Sequence, residues 1–201
     1  WINAEKRGAH VETLIHTPTK EEVTTLLEYG KGVIKMITLA PEICTKEIIK
    51  LIQSYNVIVS AGHSNATYQE AIKSFDDGIT TVTHLYNAMS GLQHREPGMV
   101  GAVLNHGNVM ASIIPDGYHV HFAAIKIAKQ VMQERLFVIT DAVTTTNKGY
   151  YQHNLVGEKY ESNSILSGSA LTMEKAVHNL VNYCAIELEE AFLLLKAISF
   201  Y

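Results

Sequence analysis

"NVIVSAGHSNATYQEAIKSFDDGITTVTH", residues 56–84, contains a complete strand–helix–strand unit. Val57 to Val59 are β-branched and apolar without alternation, as in a strand buried on both faces, and the run ends at His63. Ser64 or Asn65 can cap a helix whose apolar residues Tyr68, Ala71, Ile72 and Phe75 recur at i, i+3, i+4 and i+7, and Gly78 closes it. A second β-branched run, Thr80 to Thr83, then ends at His84. Two buried strands that both stop at an imidazole raise the question of whether the pattern recurs.

It does. Similar apolar runs begin at Gly32 ("GVIKMITLAP"), Asn108 ("NVMASIIPDGYH") and Leu136 ("LFVITDA"), and the last two end near His119 and Asp141. Helical stripes separate them: Ile48, Ile49 and Ile52 after Thr45, and Ala124, Ile127, Ala128 and Val131 before the fifth run. Ahead of the first, Thr19 and Glu22 form a capping box for a helix that turns Val23, Leu26 and Leu27 inward. A final helix resumes at Thr172 with Met173, Ala176, Val177 and Leu180 on one face. Alternation of this kind predicts an α/β fold with a mainly parallel sheet. No Gly-x-Gly-x-x-Gly opens any helix, which removes the dinucleotide-binding signature of doubly wound sheets. Polar residues at several different strand ends instead suit a (β/α)8 TIM-type barrel, of which about five βα units are present. Residues 142–170, rich in turn formers, read as a hairpin or irregular excursion within the barrel domain that spans 1–201.

Composition narrows the function. The formal net charge of −4, with scattered Lys and Arg, offers no basic surface for nucleic acid. No apolar run reaches the ~18 residues of a membrane span, and no signal pattern opens the chain. Two distant cysteines, Cys44 and Cys184, match neither a disulfide framework nor a Cys-based zinc site, and point to a reducing compartment, the cytoplasm.

A histidine at one strand end is more often structural than a ligand, and an aspartate before a turn is as readily a helix cap as a catalytic group. Co-location changes this balance, because a parallel barrel brings every strand's carboxyl end to one rim. Imidazoles and carboxylates gathered there suit a borderline divalent ion such as zinc. The chain offers two convincing ligands, His63 and His84, where catalytic zinc takes three, and Asp141 is better placed as a base.

"AGHSNATYQEA", "THLYNAMSGLQHREPGMVGA", "IIPDGYHVH", "VITDA" and "LSGSALTM" together resemble the N-acetylglucosamine-6-phosphate deacetylase family of the amidohydrolase superfamily, in order and across nearly the whole chain. The resemblance implies that His63 and His84 are metal ligands and that Asp141 is the general acid/base. It makes His10 of "KRGAH", beside Ala9, a group that polarises the acetyl carbonyl. It implies that Asn87, Ala88, Asp116 and His119 meet the substrate, His119 at its sugar hydroxyls, and that Leu166, Ser167 and Gly168 line the pocket. Arg95 of "HREPG" would bind the sugar phosphate from the neighbouring subunit of a homodimer. The implied reaction is hydrolysis of N-acetylglucosamine 6-phosphate to glucosamine 6-phosphate and acetate.

The family's carboxylate ligand is a Glu just ahead of the "Trp-Ile-Asn" at which this chain begins. The expectation is therefore a portion of a longer polypeptide, inactive by itself and a poor holder of metal. Two further readings compete: a sister amidohydrolase acting on another amide or N-acetyl sugar phosphate, and a non-catalytic sugar-phosphate-binding fragment.

Overall fold

β1 (Met36–Leu39), β2 (Ile58–Ala61) and β3 (Thr81–Val82) pair in parallel, with Met36 opposite Ile58, Leu39 opposite Ala61 and Ala61 opposite Val82. They belong to the first of two compact units in this computed structural model, which describes residues 1–195. Unit one comprises Trp1–Arg7, Glu12–Thr83 and Ala88–Val109; unit two comprises Gly8–Val11, His84–Asn87 and the chain from Met110 onward. Unit one also carries α1 (Lys20–Tyr29), α2 (Lys46–Ser54), α3 (Tyr68–Asp76) and α4 (Gly98–Asn105).

Unit two pairs β4 (Met110–Ile113) with β5 (Leu136–Val138) in parallel and supports them with α5 (Phe122–Met132), α6 (Met173–Cys184) and α7 (Leu188–Leu194). Between β5 and α6 the chain builds a three-stranded antiparallel sheet from β6 (Asn154–Val156), β7 (Lys159–Ser162) and β8 (Ile165–Ser169).

Local chemistry explains the elements. Thr19 caps α1 and Glu22 returns the bond to the Thr19 backbone, the predicted capping box. α3 starts two or three residues later than its sequence suggests, because Thr67 and Glu70 form a second capping box. Ser64 is needed elsewhere: its hydroxyl donates to Glu42 and accepts from the Ala66 amide. Val59, Ala61, Val82, Ala111 and Ile113 are buried, as non-alternating strands require. Ile48 and Ile52 of α2, which packs on β2, and Ala71 and Phe75 of α3, which packs on α4, are buried too, each large side chain contributing about 1.5–3 kcal/mol by leaving water.

Three helices depart from the expected stripe. In α5 the buried positions are Ile125, Ala128 and Met132, whereas Ile127 and Val131 are about half exposed. In α1 only Val23 and Leu27 turn inward, with Leu26 exposed, and Met173 of α6 is exposed while Asn179 is buried. Each chain segment had enough apolar residues for two overlapping faces, and packing selected one. Cys44 and Cys184 are both free thiols, and burial pushes each up to about 11. Among the described residues, no helix is long and apolar enough to cross a membrane.

Candidate active site

In unit one, β2 delivers His63 at φ +48°, a left-handed backbone that few non-glycine residues adopt. The half-buried imidazole places Nδ1 2.8 Å from the Lys6 carbonyl. A carbonyl only accepts, so Nδ1 carries a proton, and in the neutral ring the lone pair is then on Nε2. The turn is fixed further by bonds from the Asn3 amide to the His63 carbonyl (2.9 Å) and from the Ser64 amide to the Ala88 carbonyl (3.1 Å). Ala88 is itself at φ +49°. Arg95 lies in an exposed loop whose shape is held by the Glu96 carboxylate, which accepts from the amides of Tyr68 and Gly98. Arg95 has no salt bridge among the described residues.

Unit two holds the remaining residues, Asp141 among them. His84 is at φ +41° and Asp141 at φ +50°. The buried His84 amide donates to Ser112 Oγ at 2.7 Å, and Asn87 donates from its side chain to the carbonyls of His84 and Leu85. Burial holds the His84 imidazole below the ordinary histidine range, although the Asp141 charge acts the other way. His10 is lowered by burial too, again against Asp141, and its Nδ1 lies 3.3 Å from the Tyr151 hydroxyl in an edge-on ring contact. Ala9 beside it is half-buried. The exposed Asp141 thus acts electrostatically on His10, His84 and His119, a concentration of titratable groups that marks functional sites more often than packing cores.

His119 and Asp116 form a deeply buried ion pair, Nδ1 to Oδ2 at 2.6 Å, with side chains only 6% and 4% exposed. Asp116 Oδ1 also accepts from the amides of Tyr118 and His119. Nε2 of His119 meets the Ser167 carbonyl at 2.7 Å. Both imidazole nitrogens therefore face acceptors, the arrangement of an imidazolium. Burial would lower the pKa of His119, but the bond to Asp116, its charge and the Ser167 carbonyl together raise it. His119 can meet a sugar hydroxyl only by exchanging one of these bonds. Leu166, Ser167 and Gly168 lie on β8, where Ser167 Oγ pairs with His153 Nδ1 at 3.0 Å.

At Gly168 a Cβ would stand 2.8 Å from the Asp141 carbonyl and 2.3 Å from Val143 Cγ1. The Asp141 carbonyl is already held by the Ser169 amide at 2.8 Å. Gly168→Ala is expected to cost about 1–3 kcal/mol of stability through this overpacking, measured by urea unfolding. Unchanged unfolding would show that Asp141 and Val143 can yield without strain.

The donor chemistry fits a divalent ion at two positions. His63 bonds one ring nitrogen to a backbone carbonyl, the usual support of a ligating histidine, and burial lowers the pKa of His84, which favours the neutral imidazole that ligates. Among the described residues, no three His, Cys, Asp or Glu side chains form a ready-made metal cluster. The sequence reading did not single out Glu42, Tyr151 or His153. Tyr151 carried a weak signal, the Tyr-Tyr pair inside a turn-rich segment; Glu42 carried none beyond its place after Pro41.

Comparison with known proteins identifies the family of the chain. The amidohydrolase family profile matches residues 2–191. An N-acetylgalactosamine-6-phosphate deacetylase of Escherichia coli O157:H7 is 34% identical over 203 residues, 95% of this chain and 53% of the relative. An N-acetylglucosamine-6-phosphate deacetylase of Haemophilus influenzae is 35% identical over 202 residues, 95% of this chain and 52% of the relative. The crystal structure of N-acetylglucosamine-6-phosphate deacetylase from Pasteurella multocida superposes with a TM-score of 0.87 at 36% identity, covering 94% of this chain and 52% of that one. The chain spans about half the length of the curated relatives it matches. With strand-ending histidines, parallel βα units and a matching profile over residues 2–191, the chain belongs to the amidohydrolase family, as part of its (β/α)8 barrel.

Proposed function

We propose that the protein hydrolyses the acetamide of N-acetylglucosamine 6-phosphate, releasing glucosamine 6-phosphate and acetate. The observation that carries this reading is the convergence of Asp141 with His10, His84 and His119 in one unit. His63 and His84 are the proposed ligands of the metal, zinc. Bound there, the ion would act as a Lewis acid and bring the pKa of a water toward about 7.

The chain's own groups then divide the proton work. Asp141, exposed at its strand end, accepts a proton as water adds to the acetyl carbon, and returns it to the sugar nitrogen as the C–N bond breaks. His10, neutral through burial, donates a hydrogen bond to the acetyl oxygen as charge gathers there. Asn87, Ala88 and the β8 residues Leu166 to Gly168 shape the sugar site. Arg95 binds the phosphate of the substrate in the neighbouring subunit of a homodimer, where a guanidinium fork suits a phosphate. The free buried thiols fit the cytoplasm.

The test is acetate release from N-acetylglucosamine 6-phosphate by the whole, zinc-loaded protein. A protein that binds zinc yet releases no acetate from any N-acetyl amino-sugar phosphate would overturn the reading in favour of a non-catalytic binder. Arg95→Ala is expected to raise KM for the phosphorylated substrate about 10–100-fold, the worth of a charged hydrogen bond, and to leave the unphosphorylated sugar nearly unaffected. The names of the similar proteins favour one second reading, the galactosamine epimer, decided by the ratio of kcat/KM for the two sugars.

A further inference from the structure

Glu42 lies outside every group named so far, in the turn after β1, yet its carboxylate collects three donors from two other segments. Oε1 accepts from the Asn65 amide at 2.6 Å and from Asn3 Nδ2 at 3.0 Å, and Oε2 accepts from Ser64 Oγ at 2.6 Å. Ser64 and Asn65 immediately follow His63. Asn3 caps the short turn Ala4–Lys6, and the last carbonyl of that turn is the one that holds His63 Nδ1. The Asn3 amide also donates to the His63 carbonyl. One carboxylate thus grips the histidine's backbone from the C-terminal side and, through Asn3, supports the acceptor that fixes its ring.

We infer that Glu42 is a positioning residue, which sets the tautomer and aim of the His63 imidazole by clamping Ser64, Asn65 and Asn3. The inference rests on the proposed role of His63 as a metal ligand and deepens it. A histidine at φ +48° is held against its backbone preference, so something must over-determine the turn. Three charge-assisted bonds of 2.6–3.0 Å to a half-buried carboxylate do so. Groups that orient a ligating histidine from behind are worth 10–100-fold in metal affinity as a rule. A glutamine keeps an acceptor for Asn65 and Asn3 and offers its amide to the Ser64 hydroxyl; an alanine keeps nothing.

The experiment uses the whole protein, with zinc affinity measured by competition with a chelator and the His63 ring nitrogens followed by ¹⁵N NMR in the metal-free state. Glu42→Ala is expected to weaken zinc binding about 10–100-fold and to turn the fixed Nδ1–H signal of His63 into a tautomer average, with Glu42→Gln restoring most of both. Glu70→Ala, which removes the neighbouring capping box of α3, is the control: it lowers thermal stability and leaves zinc affinity and tautomer unchanged. Should Glu42→Ala not fold, Ser64→Ala, which deletes one of the three donors, is expected to give a smaller shift in the same direction. Zinc affinity within twofold and an unchanged tautomer in Glu42→Ala, with affinity lost in His63→Ala, would overturn the inference. If His63→Ala itself binds zinc normally, the metal reading fails, and the tautomer alone decides whether Glu42 positions the ring.

Discussion

Asp141→Asn is expected to lower the turnover of acetamide hydrolysis by about 10²–10⁴-fold, the range over which a positioned acid/base acts, while the protein keeps its fold and its ion. Asparagine has the same shape and tolerates φ +50° nearly as well as aspartate, so the bond from the Ser169 amide to the residue's carbonyl survives. What it lacks is an oxygen able to take a proton. A second readout separates this from a folding defect. The Asp141 charge raises the pKa of His119, so its removal should move the His119 titration to lower pH. Activity within tenfold of the unsubstituted protein, with that His119 shift present, would show that the charge is there but the proton transfer is not its task.

The strand positions were legible because an apolar run buried on both faces has few alternatives, and the histidines stood out because three of the five runs ended at or near one. α4 was not legible. Gly98 and Gly101 interrupt an otherwise apolar segment, and the helix is buried nearly all round, which erases the periodicity that marks an amphipathic one. The misread stripe of α5 has a related cause, since Ile125 and Ile127 are equally apolar and only tertiary packing separates them. At the site, residue types could be listed in advance, but the left-handed backbones of His63, His84 and Asp141 could not, because histidine and aspartate only lean toward positive φ locally and tertiary contacts decide which of them adopt it. Nor could the engagement of His119: its second partner, the Ser167 carbonyl, is 48 residues away. Glu42 escaped for the same reason, as its donors come from Asn3 and Asn65.

The His119–Asp116 pair should carry the largest stability effect in unit two. Asp116→Ala removes one partner of an ion pair whose side chains are 6% and 4% exposed, and leaves the amides of Tyr118 and His119 without their carboxylate acceptor. Breaking such a buried pair costs about 3–5 kcal/mol. Asp116→Asn isolates the charge, because its side-chain oxygen can still accept from both amides. The pH dependence follows from the two shifts. His119 is raised in the folded protein, so its contribution is complete below the ordinary value of 6.5 and is lost as pH climbs through the raised one. Asp116, although burial would raise it, is lowered by its bonds to His119 and to the Tyr118 amide; its contribution is complete above 3.8 and is lost as pH falls through the lowered value. The stability gap between the unsubstituted protein and Asp116→Asn is therefore expected to be widest between these two ordinary values and to narrow on the alkaline side. There a neutral His119 turns the lone pair of Nε2 toward the Ser167 carbonyl and the pair loses its second anchor. The gap of Asp116→Ala should keep a pH-independent remainder from the two stranded amides. Urea unfolding of the three proteins across this range measures both parts, and an Asp116→Asn gap that stays constant from acid to alkaline pH would show that His119 is neutral in the folded protein.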